Sequence, residues 1–191
     1  MRRGFLHVCL FVGALSFTAA ANAQQIVHAL AGTVTAVHPA SNTIQVATDD
    51  GSQGLFDVMT KKDVLLDFEK NVKAMTTPAI AFTKAHCQVV VFYYGDDDSR
   101  TTVAVEDLGD APLVKTMGTV VKVDKKAHLL TVKSDSGEEQ TFHVDAKTIA
   151  DSTSGVMEGQ KFDPNKGAKV RIVATMENGA PTALFIRALS L

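Results

Sequence analysis

The hydrophobic positions of this chain fall into short alternating runs separated by turn residues. Ile44 and Val46 alternate with Thr43, Gln45 and Ala47, and Phe56 and Val58 continue the pattern. Val89, Val91 and Tyr93 form another run, and Val103 and Val105 a further one. A period of two marks strands with one buried face. The runs predict strands over 26–38, 43–48, 53–59, 89–94 and 101–108. The breaks carry turn chemistry: His38-Pro39-Ala40-Ser41-Asn42, Asp49-Asp50-Gly51, and Gly95 to Ser99. The first strand is long and contains Gly32. Its Val34 and Val37 differ in parity, which predicts a bulge or sharp bend. One segment changes period. Leu65, Phe68, Val72 and Met75 recur at spacings of three and four. That predicts a helix opened by Thr60 and Asp63 and finished before Pro78.

The pattern then repeats. Gly32-Thr33-Val34-Thr35-Ala36-Val37 returns as Gly118-Thr119-Val120-Val121-Lys122-Val123, 86 positions later. At that offset Val46 meets Val132, Gly51 meets Gly137, Phe56 meets Phe142 and Val58 meets Val144. Later the offset is 81: Val89 meets Val170, Val91 meets Ile172, Val105 meets Ile186. The halves therefore differ in length only between their third and fourth strands. There the second half predicts just a short helix around Ile149, with Ser152 to Gly155 and Asp163 to Gly167 as loops. The expected units are 24–109 and 110–191, joined at Asp110-Ala111-Pro112. That joint is too short to act as a tether, so the units should touch.

A long bent strand, a meander, an inserted helix and a closing hairpin is the order of an OB-type barrel. The predicted class is therefore mainly β, with two tandem OB-like five-stranded barrels. SH3-like barrels are the alternative. With its G-T-V-x-x-V openings and D-x-G hairpins, the chain resembles uncharacterised bacterial exported proteins with tandem small β-barrel domains. The opening there often continues to Asp, as Val123-Asp124 does and Val37-His38 does not. The resemblance implies exported barrels. It implies no activity, and no catalytic residues carry over.

The first 23 residues read as an address. Met1-Arg2-Arg3 is basic, Phe5 to Phe17 is apolar and uncharged, and Ala21-Asn22-Ala23 offers small residues before a cut at Gln24. That is the three-part form of a secretory signal. Removing 23 of 191 residues leaves 168, with 17 basic side chains against 21 acidic ones, a net charge of −4. Cys9 leaves with the signal, so Cys87 is the remaining thiol and no intrachain disulfide is expected. No later segment is apolar for long enough to span a bilayer. The expected location is periplasmic or secreted.

The acidic balance and the polar outward positions of the second strands (Thr43, Gln45, Thr131) exclude a nucleic-acid binder, which needs exposed aromatics in a basic groove. No nucleophile motif, phosphate loop or dinucleotide fingerprint occurs, so neither enzymatic activity nor a cofactor is expected. His143 and Asp145 share a strand face, but nothing orients Ser152 or Ser154 toward them. Two sites stand out. Tyr93 and Tyr94 with Arg100 flank a charged hairpin and form the candidate ligand-binding spot, with one tyrosine facing inward and one outward. Asp96, Asp97 and Asp98 on that hairpin, with His38 across the barrel mouth, form the candidate metal site, for calcium or for copper or zinc. The sequence points to a non-catalytic exported binding or accessory protein, its partner an envelope protein or a small ligand. A metal-binding module of the envelope is the alternative.

Overall fold

The computed structural model describes residues 24–49, 51, 53–61, 63–96 and 99–189. Residues 1–23, where the signal is expected, and Asp97 and Asp98 lie outside the described residues. The first half contributes β1 (His28–His38), β2 (Thr43–Thr48), β3 (Gln53–Val58), α1 (Lys70–Ala74), β4 (Gln88–Tyr94) and β5 (Thr101–Asp107). The second contributes β6 (Val114–Asp124), β7 (Leu129–Ser134), β8 (Glu139–His143), β9 (Ile149–Ser152), β10 (Gly155–Glu158), β11 (Lys169–Glu177) and β12 (Ala180–Leu189).

In the first half β1 pairs antiparallel with both β2 and β4, and β4 with β5. The ring closes where β3 meets β5 in parallel, Asp57 opposite Thr101 and Val58 opposite Thr102. The second half repeats the ring: β6 pairs with β7 and β11, β11 with β12, and His143 meets Thr182 in parallel. Both are OB-like barrels, as the strand order predicts. One strand can serve both halves of such a ring only if it bends. β1 does so at a register shift between Val34 and Ala36, and β6 at the matching point of its pairing with β7. Just before the shift, Gly32 approaches its neighbour so closely that a Cβ there would lie 2.5 Å from the Ala47 carbonyl oxygen.

The inserted segments depart from the sequence reading. The first is helical only over Lys70–Ala74, and Glu69, not Thr60, caps it by accepting from Val72 N–H at 2.9 Å. Leu66–Asp67 is extended instead, paired in parallel with Gln25–Ile26. Phe68 packs on the core from there, while Leu65 is exposed. The three-and-four spacing was thus half coincidence. The second segment forms no helix at Ile149. Ile149, Ala150 and Asp151 pair in parallel with Phe185, Ile186 and Arg187, and β9 and β10 make a hairpin turning at Thr153-Ser154. A long-range ladder and a β-branched residue outweigh local helix formation.

Each barrel has its own core. Ile44, Val46, Phe56, Val89, Val91 and Val105 fill the first; Leu130, Val132, Phe142, Val170, Ile172 and Ile186 fill the second at equivalent positions. A third cluster lies between the barrels. Val27, just before β1, and Ala29, Ala31, Val90 and Phe92 on the outer face of β1 and β4 cluster with Ile149, Val156, Val173 and Phe185. Val103, expected inside the barrel with Val105, joins this shared cluster instead. The β9–β10 hairpin is the docking element. Val156 N–H donates to Val27 O at 2.9 Å. Gly155 has φ 96°, and a Cβ there would meet Ile26 Cγ2 at 2.7 Å and Val27 O at 2.9 Å. Lys115–Asp49 (2.7 Å) and Lys161–Glu69 (2.9 Å) tie the rim of this contact.

Candidate functional site

At one end of the first barrel three segments are fastened together. Asn42, in the turn after β1, takes the left-handed backbone (φ 51°) that a short polar side chain tolerates. Its carbonyl accepts from Val58 N–H at 2.8 Å. Asp57 N–H donates to Arg100 O at 3.1 Å, and Met59 N–H to Thr102 O at 2.8 Å. These bonds extend the β3–β5 closure past the end of β3. They leave an open cleft of about 380 Å³, lined by Ser41, Asn42, Asp57, Lys61, Tyr94 and Thr101 among others. That volume suits a small molecule. Among the described residues its chemistry is hydroxyl, amide, one carboxylate and one ammonium, with a single aromatic wall. Tyr94 supplies that wall and also packs against the cluster between the barrels.

Of the residues singled out from sequence, the tyrosines divide as parity predicts. Tyr93 is 5% exposed, its ring centroid 5.8 Å from that of Phe56. Tyr94 is half-buried and reaches the cleft. Arg100 lies over Tyr93, its guanidinium carbon 5.1 Å from that ring centroid and 5.7 Å from that of Phe56. It braces the barrel mouth through a cation–π contact. His38 is exposed and lines a separate recess of about 130 Å³ with Pro39, Ile80 and Phe82. Asp96 is exposed on the turn after β4. Among the described residues no three His, Cys, Asp or Glu side chains are grouped to hold a metal ion.

Sequence reasoning missed Asp57, Lys61 and Thr101. The one signal was parity: Asp57 faces outward between inward Phe56 and Val58.

Two other groups bear on chemistry. His143 and Asp145 share an open recess with Glu177, Asn178 and Thr182. Asp145 Oδ1, however, accepts from Lys147 N–H at 2.8 Å and Thr148 N–H at 2.9 Å, fixing its own turn. Ser152 Oγ accepts from Ser154 N–H at 3.1 Å within the β9–β10 turn. Neither arrangement activates a hydroxyl. Cys87 is half-buried, and burial pushes its thiol up from the usual value, so it stays protonated.

No protein-family model matches the chain, and no curated protein matches it. Among the solved structures that align with part of it are two of CusF. A silver(I)-bound form of CusF is 13% identical, with 41% of this chain and 99% of that one covered and a TM-score of 0.33. Apo-CusF residues 6–88 from Escherichia coli is 12% identical, with 44% of this chain and 94% of that one covered and a TM-score of 0.34. Among the described residues no helix is long and apolar enough to cross a membrane.

Proposed function

We propose that this chain is an exported, non-catalytic binding module whose first barrel takes a small polar ligand in the Asn42–Asp57–Tyr94 cleft. The observation that carries the reading is the cleft itself. It gathers hydrogen-bonding side chains from the β1–β2 turn and from the ends of β3, β4 and β5 onto one surface. A rigid ring of strands positions them, and Tyr94 offers a flat apolar wall against which a polar ligand can stack. The units of the proposal are 24–109, which carries the cleft, and 110–191, which braces it through the shared cluster. Export rests on the basic, apolar and A-x-A pattern of residues 1–23.

Equilibrium dialysis tests this. The protein is dialysed against the dialysable fraction of an envelope extract, and retained compounds are identified by mass spectrometry. Retention by the native protein, lost in Asp57→Asn and Tyr94→Ala, supports the cleft. Parallel dialysis against calcium, zinc and copper salts tests the competing metal reading of His38 with Asp96, Asp97 and Asp98. Stoichiometric metal retention without retention of any organic compound overturns the proposal.

A further inference from the structure

A charged cluster bridges the two barrels where the β9–β10 hairpin lies against β1. His28 projects from β1, and its Nδ1 lies 3.1 Å from Asp151 Oδ1 on β9. The Asp151 side chain is only 4% exposed, whereas that of His28 is 31% exposed. The carboxylate is thus shut inside the contact while the imidazole keeps a path to solvent for its proton. Arg187 on β12 is the second cation: its Nε is 3.7 Å from Asp151 Oδ2, and its Nη2 makes a long donation of 3.5 Å to Tyr93 Oη. Tyr93 on β4 stands opposite His28 in the ladder, their ring centroids 6.3 Å apart. Arg100 lies on the ring of Tyr93. Asp67, on the two-residue strand beside Val27, is exposed.

We propose that His28 and Asp151 form a pH-sensitive latch that tightens the docking of the β9–β10 hairpin on the first barrel as the medium becomes acidic. A buried carboxylate is costly unless its oxygens are satisfied by charged partners. At 3.7 Å the Arg187 Nε contact with Asp151 is a loose one, beyond ordinary hydrogen-bond length. Protonation makes Nδ1 of His28 a donor with a positive charge facing Oδ1. Among the described residues, deprotonation leaves Arg187 as the one formal cation on Asp151. The hydrogen bond that His28 donates to Asp151 raises its pKa from the usual 6.5, while burial and Arg187 oppose the rise. The sign follows from linkage. A raised folded-state pKa stabilises docking fully below 6.5, and that contribution is lost as pH rises through the raised value. Docking does not vanish at high pH, because the apolar cluster remains. What changes is how often the hairpin opens.

The amide of Val156 reports this opening directly, since it donates to Val27 O only when the hairpin is docked. Hydrogen exchange at Val156, corrected for intrinsic exchange, is followed between pH 5 and pH 8 in the full chain. Its protection should fall roughly two- to fivefold on going up. In His28→Gln, which keeps bulk and polarity, the profile should be flat across the range. The His28 ring, followed by NMR, should titrate above its usual value, and in Asp151→Asn it should return toward that value. A His28 ring titrating at or below 6.5 in the native chain overturns the latch. So does Val156 protection with the same pH profile in native protein and His28→Gln. Neither readout involves the cleft ligand, so its identity does not bear on the outcome.

Discussion

Ile149→Ala tests whether the two barrels behave as one body. Ile149 belongs to the second half by chain position, yet it is 2% exposed within the cluster between the barrels. The substitution removes three side-chain carbons. Their transfer is worth about 2.4 kcal/mol at ~0.8 kcal/mol each. The space left in the shared cluster collapses only in part, which adds roughly 1 kcal/mol. A loss of about 3 kcal/mol in a chain of this size lowers the melting temperature by roughly 6–12 °C. The assay exploits an asymmetry of composition. The chain has no tryptophan and two tyrosines, Tyr93 and Tyr94, both in the first barrel. Near-ultraviolet tyrosine signals therefore report the first barrel while the perturbation sits in the second half. If the shared cluster couples them, the tyrosine and far-ultraviolet transitions stay coincident and shift down together. A tyrosine transition left in place while the far-ultraviolet transition splits would refute the coupling.

Further outcomes are expected from single sites. Gly155→Ala should lower stability by roughly 2–4 kcal/mol, because it combines a positive φ with a clash against Ile26 and Val27. Gly51→Ala, also at positive φ but with open space around it, should cost only about 1 kcal/mol; denaturant melts of the pair separate packing from backbone strain. Glu106 is pushed up to about 6, by burial first and then by Asp107. Its contribution to stability is therefore full below about 4.5 and is lost as pH rises through about 6. Urea midpoints of Glu106→Gln should lack that dependence. Tyr94→Ala should weaken retention of a cleft ligand at least roughly tenfold, as removal of a central aromatic contact does, whereas His38→Ala should leave retention unchanged.

The strand order and both barrel cores were legible in the chain. Phe56 and Phe142, Val46 and Val132, Val91 and Ile172 are buried at matching places because a repeated alternation has one closed solution. The contact between barrels was partly legible. Alternation in β4 assigned Val89, Val91 and Tyr93 to the inside, yet Val90 and Phe92 are buried as well. An uninterrupted apolar run with no polar outward residue signals burial on both faces, and the second barrel supplies the other cover. The docking hairpin was not legible. Ile149 to Glu158 carries a weak local pattern, and its strands exist because β12 and Val27 offer partners distant in sequence. The cleft was hidden for a similar reason. Asp57, Lys61 and Thr101 are ordinary surface polar residues until the parallel closure of β3 on β5 brings them to one place. Arg100 and Tyr93, chosen for their charge and aromaticity, face each other across the barrel mouth instead of solvent.

The most direct test of the binding account is to map backbone amide shifts across the full chain while adding a compound retained in dialysis. The account predicts changes centred on Asn42, Met59, Lys61, Tyr94 and Thr101, abolished in Asp57→Asn. Changes centred instead on His38 and Asp96, or on the His143 recess, with the cleft amides unmoved, would contradict it.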